Sequence, residues 1–256
     1  MTSKKIDLSV VITTKNEEAN ISDCLLSCSF AKEIILVDDN SSDNTLEIAK
    51  NFNAKIFERS LDGDWGAQKS FGISKATCSW ILLIDADERC SKELALEIEN
   101  VVNNDKKAAY FIHRENKFRY FKATHGVLRP DRVKRSMPRE GASVEGRVHE
   151  QYISSYPDDS LKGALYHYTY QDWDKYYAKL NKYANLVAIK NFEKGKRCNF
   201  ILDVMLKPLW AFFKVYVINL GFLDGKIGFM LSANHYSYTL QKYVRLYTLH
   251  KTKGKL

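Results

Sequence analysis

The chain has 256 residues, 45% hydrophobic and 27% charged, enough for one well-buried domain with an appended element or for two small ones, and too apolar for a disordered polypeptide. A formal net charge of +8 and a pI near 9.1 point to an anionic partner, whether a nucleotide, a nucleic acid or an acidic membrane surface. Five cysteines, at 24, 28, 78, 90 and 198, form neither a regular disulfide framework nor a metal-binding spacing, which reads as small buried thiols in a reducing compartment.

The N-terminal stretch MTSKKIDLSVVITTKNEE carries a short apolar run that meets Lys15 and Glu17 at once, so neither a signal peptide nor an anchor is expected. From there short β-branched runs alternate with helical stretches: LSVVIT, EEANISDCLLSC, EIILV, DNTLEIAKNF, AKIF, a stretch through KSFGISKA, and WILLI. This alternation predicts a Rossmann-like, mostly parallel α/β sheet with helices on both faces, from about residue 6 to about residue 113. Ligands of such sheets sit outside the carboxyl ends of the strands. Here those ends run into TTKNEE, DDNSSD and DADE, so neighbouring strands deliver carboxylates to one crevice. The first turn lacks any glycine, which excludes the GxGxxG fingerprint of a nicotinamide-dependent oxidoreductase.

Asp85 and Asp87 stand two apart at the tip of WILLIDADE, the spacing that lets two carboxylates share a hard cation such as Mg²⁺ or Mn²⁺, which in turn neutralises a diphosphate. The alternative is a polar strand end capping the helix SKELALEIENVV, a duty that Ser91 with Glu93 in the first turn performs better. Asp38 and Asp39 at the second strand end are suited to a pyrimidine edge or a ribose hydroxyl, with Asn40 to Asp43 reading as turn and cap.

After residue 113 shorter aromatic and basic stretches with Gly and Pro suggest hairpins and loops, forming a second half, residues 114–170, of a domain spanning 1–170. Residues 171–256 read as a helical, amphipathic C-terminal region. Its most apolar part, about 199–249, is interrupted by Asp203, Lys207, Pro208, Lys214 and Asp224, so no run reaches the roughly 18 apolar residues a spanning helix needs. At helical spacing Asp203, Lys207 and Lys214 share one stripe and leave a wide apolar face of Met205, Leu209, Phe212, Phe213, Tyr216 and Val217. Such a face packs on its own protein or lies in a bilayer interface.

The segments VVITTKNEEANISDCLLS, IILVDDNSSDNTLEIAK, GAQKSFGISKATCSWILLIDADE and VHE together resemble the inverting family 2 glycosyltransferases of GT-A fold, over roughly residues 8 to 150. The DADE ending, the VHE segment and KPLWAFFKVYVINLGFLDGKIGF are similar to bacterial lipopolysaccharide core glycosyltransferases. The resemblance implies Thr13, Lys15, Glu17 and Asp39 around the nucleotide, Asp85 near ribose and metal, and Asp87 on the metal. It implies Lys69 facing the donor, unless that lysine is merely solvated, and Glu150 in GRVHEQY as the base, with Glu145 as runner-up. The family often has Asp at the base position, where this chain has Glu. His167 would join the metal, unless it is a satisfied core histidine, and His149 would orient the base or touch the diphosphate. Arg129, Arg132 and Arg135 suit an anionic acceptor, although a solvated basic loop reads the same way.

The expected activity is metal-dependent hexose transfer from a nucleotide-sugar, UDP-linked by resemblance, to a lipid-linked glycan at the cytoplasmic face of the inner membrane, with no nucleic-acid role. A homodimer through the apolar C-terminal helices stays open. The competing readings are a non-catalytic basic protein bound to membranes or nucleic acid, and a sugar-1-phosphate nucleotidyltransferase, whose glycine- and arginine-rich opening loop this chain lacks.

Overall fold

In the computed structural model, which describes residues 5–118, 121, 123–146, 150–170 and 172–254, the first half of the chain is built as the sequence alternation demands. Strand β1 (Ile6–Thr14) leads through α1 (Ile21–Ser27) to β2 (Ala31–Asp38), then through α2 (Thr45–Lys50) to β3 (Lys55–Glu58), and through α3 (Trp65–Lys75) to β4 (Trp80–Asp85). A short β5 (Glu88–Cys90) and α4 (Lys92–Asn103) precede β6 (Ala109–Phe118), β7 (Asp131–Pro138), β8 (Ser143–Glu145), β9 (Gln151–Ile153) and the long β10 (Asp158–Tyr170). The main sheet has the order β3-β2-β1-β4-β7-β6-β10-β5, and β8 pairs with β9 separately. β1, β2, β3 and β4 run parallel, whereas β7 is antiparallel to both β4 and β6, and β10 is antiparallel to β5. The hairpin texture after residue 113 is thus an antiparallel extension of the parallel sheet.

Both faces of the parallel half are apolar, and the side-chain period of two sorts them. Leu8, Val10 and Ile12 of β1 and Trp80, Leu82 and Ile84 of β4 join the core under α1, α2 and α4, while Val11, Ile81 and Leu83 join Ile73 of α3 on the other face. Each such side chain, fully removed from water, contributes about 1.5–3 kcal/mol. α3 lies close against its face because residue 72 is glycine: a Cβ there would meet Val11 Cγ1 at 2.4 Å and Val37 Cγ2 at 3.0 Å. Its start is fixed by Asp64, whose side chain accepts from the Ala67 backbone N–H at 2.9 Å.

Contacts divide the chain into two units, residues 1–115 with 131–167, and residues 116–130 with 168–256. The second unit holds α5 (Trp173–Glu193), a π-helical segment Phe200–Leu206 running into α6 (Lys207–Phe213) and a further π-helical turn Lys214–Ile218, and the long α7 (Gly225–Lys251). Within it the polar stripe expected at 203, 207 and 214 is turned partly inward: Asp203 is buried and pairs with Lys207, whose ammonium lies 4.9 Å from the Tyr243 ring of α7. The apolar side is the one left outward, with Met205, Leu209, Phe213 and Val217 each more than 40% exposed. Among the described residues no helix is long and apolar enough to cross a membrane.

Candidate active site

Strand register brings the polar ends of the parallel sheet level. Thr13 of β1 stands opposite Asp85 of β4 and opposite Val37 of β2, with Thr14 opposite Asp38. Thr13 Oγ1 donates to Asp85 Oδ1 at 3.2 Å.

Asp85 and four other side chains close into a ring. Lys69 of α3 contacts Asp85 Oδ1 at 3.0 Å and Glu150 Oε2 at 2.8 Å; Tyr152 of β9 donates to Glu150 Oε2 at 2.7 Å; Arg135 of β7 donates to the Tyr152 hydroxyl at 2.8 Å and to Asp85 Oδ2 at 2.6 Å. Lys69 also donates across the ring to the Tyr152 hydroxyl at 3.1 Å. The ring extends outward, since Arg135 and Arg114 both contact Glu88 Oε1, at 3.0 and 3.3 Å, and Arg114 grips Asp131 at 2.6 and 2.9 Å. Glu88 in return accepts the Asp85 backbone N–H at 2.9 Å.

Lys69, Arg135 and Glu88 are all buried, so these charges persist only because they are matched. Burial opposes ionisation of Asp85, yet the Arg135 guanidinium and the Lys69 ammonium hold its carboxyl well below the usual carboxylate range. The same pairing keeps Lys69 and Arg135 charged against burial, with Asp85 as the main partner of each. Burial pushes the Tyr152 phenol up to about 12, against the pull of Arg135 and Lys69, so it remains a donor to Glu150. Glu150 Oε1 makes no hydrogen bond among the described residues.

Asp87 follows in the turn between β4 and β5, and its Oδ2 lies 3.2 Å from His167 Nε2 of β10. The carboxylate oxygen, partly exposed, suits Mn²⁺ or Mg²⁺, and the imidazole nitrogen beside it favours the transition metal Mn²⁺ over Mg²⁺. Among the described residues no group of three His, Cys, Asp or Glu side chains could hold an ion, so the remaining positions would fall to oxygens of a bound substrate or water. Both oxygens of Asp85 are already engaged, by Lys69 and Thr13 on one side and Arg135 on the other.

The other expected residues lie as follows. Asp39 accepts the Leu61 N–H at 2.8 Å and pairs with Lys15 at 2.8 Å, and these partners outweigh desolvation to lower its pKa. Asp38 is buried and holds its own turn, taking the Ser41 N–H at 2.7 Å and hydroxyl at 2.5 Å. Glu17 accepts from Asn20 at 2.7 Å at the entry to α1. Glu145 ends β8, exposed, opposite Gln151. Arg132 turns away from the ring to Ser160 and to the Phe111 ring at 5.7 Å. Arg129 belongs to the second unit, and His149 lies outside the described residues. Lys69 is not a solvated lysine, being only 3% exposed.

The sequence does not single out Tyr152 or Arg114, marks Glu88 only as the last acid of DADE, and offers Arg135 only as one of three arginines suited to an anionic acceptor. Tyr152 stands two residues after Glu150 near a strand start, a spacing that could have flagged it. Arg135 gives no such signal. The pairing of β6 with β7 passes from Tyr110–Ser136 to Phe111–Lys134, so Arg135 is the extra residue of a bulge, the device that re-aims one side chain beside a site.

The sequence profile described as "Glycosyl transferase family 2" matches residues 9–150, more than half of the chain and every member of the ring except Tyr152. The chain belongs to glycosyltransferase family 2. This family 2 glycosyltransferase is 33% identical over 240 residues to an uncharacterized glycosyltransferase of Rickettsia felis, covering 87% of the chain and 83% of that protein. It is 27% identical over 259 residues to the lipopolysaccharide core biosynthesis glycosyltransferase LpsC of Rhizobium meliloti, covering 98% and 96%. A crystal structure of S. aureus TarS 1-349 in complex with UDP superposes with a TM-score of 0.44 at 15% identity, covering 98% of the chain and 92% of that structure.

Proposed function

We propose that this glycosyltransferase moves a hexose, with inversion, from a UDP-linked donor to a glycan on a lipid carrier, working at a membrane surface. The observation that carries this reading is the closed ring Asp85–Lys69–Glu150–Tyr152–Arg135, which ties the acidic strand end to a carboxylate whose second oxygen has no hydrogen bond among the described residues. Glu150, oriented through Oε2 by Lys69 and Tyr152, would take the proton of the acceptor hydroxyl on Oε1 as that oxygen attacks the anomeric carbon from the side opposite the leaving diphosphate. Asp39, Lys15 and Thr13 line the strand ends where the nucleotide would bind. Asp87 and His167 would hold Mg²⁺ or Mn²⁺, which when bound offsets the charge developing on the leaving diphosphate.

The lipid acceptor and membrane location draw support from the second unit and from the resemblance to LpsC. That unit holds 19 Lys and Arg against five Asp and Glu, together with the outward apolar face of residues 200–223. Positive charge beside exposed apolar side chains is the combination that binds anionic bilayers.

Calorimetric titration with a panel of nucleotide-sugars, with and without Mn²⁺, tests the donor half. The expected result is metal-dependent binding of one UDP-sugar, lost in Asp87→Ala; an Asp87→Ala protein that binds the same donor as tightly as wild type overturns the assignment. Sedimentation with anionic liposomes at low salt tests the other half, and a protein that stays in the supernatant removes the membrane from the reading.

A further inference from the structure

A second region built for anions lies wholly within the C-terminal unit. A cavity of about 450 Å³ there is lined by residues of 126–129, α5, the stretch 214–219 and α7. Three cations border it: Arg129, Lys179 and Lys214. Among the described residues the Arg129 side chain reaches Asn219, at 3.3 Å, and Lys179 reaches the Thr169 hydroxyl at 3.4 Å and the Tyr170 ring at 5.4 Å. Among the described residues no Asp or Glu lines the cavity and none of the three cations forms an ion pair. Acids close in sequence are occupied elsewhere: Asp131 is held by Arg114, Asp172 caps α5 and Asp224 holds His125.

Three like charges facing one concavity repel one another unless an anion joins them. The field is felt at His235 on the wall, whose pKa is lowered by burial first and then by Lys242 and Lys214. The rest of the lining is aromatic and apolar. Tyr183 and Tyr238 present hydroxyls without partners among the described residues, and Leu180, Val127 and Val215 complete the wall. The volume matches a small polar ligand with an attached ring or chain.

We propose that this cavity binds a phosphate monoester, the cations taking the phosphate and the tyrosines and apolar wall taking the group it is esterified to, either a phospholipid-type glycerol or a phosphorylated sugar. The site is made of residues outside the strand-end ring, and its occupancy requires no donor, metal or glycosyl transfer.

The test is calorimetric titration of the full chain, without nucleotide, by dihexanoyl phosphatidic acid and separately by glucosamine 6-phosphate, with dihexanoyl phosphatidylcholine as the control lacking a monoester. Wild type is expected to bind one of the two monoesters, which names the source, and to ignore the control. The Lys179→Gln/Lys214→Gln protein, with both changes at exposed positions, is expected to melt as wild type and to bind at least about ten-fold more weakly, the loss that follows from removing charge-assisted contacts. Binding of neither monoester, equal binding of the phosphatidylcholine, or undiminished binding by the double variant overturns the proposal.

Discussion

In the N-terminal unit charge is buried and paired, while in the C-terminal unit apolar side chains are exposed and charge is left unmatched. Lys69 and Arg135, each under 5% exposed, are locked to Asp85, Glu150 and Glu88, and this unit as a whole carries 26 acidic against 20 basic residues. The other unit exposes more than half the surface of Ile201, Leu202, Leu209, Trp210 and Leu223 and carries an excess of 14 positive charges. A net charge of +8 for the chain conceals both facts. One unit holds polar groups where a reaction needs them preorganised, and the other keeps a surface that water does not satisfy.

The sharpest way to break this contrast is at the ring. Glu150→Gln retains the hydrogen bond from Tyr152 but cannot accept the acceptor's proton, and turnover is expected to fall by about 10³-fold with little change in donor affinity, measured as kcat against KM. Arg135→Met removes the buried cation that Asp85 and Glu88 share, leaving Lys69 and Arg114 to match them, and is expected to lower unfolding free energy by about 3 kcal/mol, read from urea denaturation. An Arg135→Met protein as stable as wild type would mean that the ring does not carry the unit.

Elsewhere in the same unit Glu33, buried and bonded to Ser9, Lys55 and Thr77, has its carboxyl lowered from 4.5 to about 2, these partners prevailing over desolvation. Because the folded value is the depressed one, the associated stability is fully present above about pH 4.5 and is lost as pH falls toward 2, a change on the order of 3 kcal/mol. Glu33→Gln should flatten that acid limb in denaturation curves taken between pH 6 and pH 3. The smallest effect on folding is expected in the second unit. Leu209→Ser with Phe213→Ser, both on the outward face, should change stability in buffer by no more than about 0.5 kcal/mol per site while reducing sedimentation with anionic liposomes several-fold. A large loss of stability instead would mean that this face is packed.

Much of the first unit was legible because its signals are local. The period-two pattern of LSVVIT and WILLI set the strands and the faces they bury, and the acids at their tips marked the end where chemistry collects. Asp85, Lys69 and Glu150 could each be named, but the bond between Lys69 and Glu150 spans 81 residues and no local pattern encodes it. Arg135 could be named as a basic residue but not placed in the ring, because a one-residue bulge, invisible in RPDRVKR, turns it inward while Arg132 stays outside. In the second unit the amphipathic stripe was legible, but its direction was not: periodicity tells which residues share a side, not which side faces the protein. Asp203 and Lys207 lie inward because they satisfy each other and lean on Tyr243, leaving the apolar side out.

That inverted helix carries a thermodynamic consequence. Whatever covers such a face in the folded chain, and not in the unfolded one, adds RT ln(1 + [L]/Kd) to the unfolding free energy. If an amphiphile is what covers it, the melting temperature becomes a titration curve in amphiphile rather than a constant of the sequence.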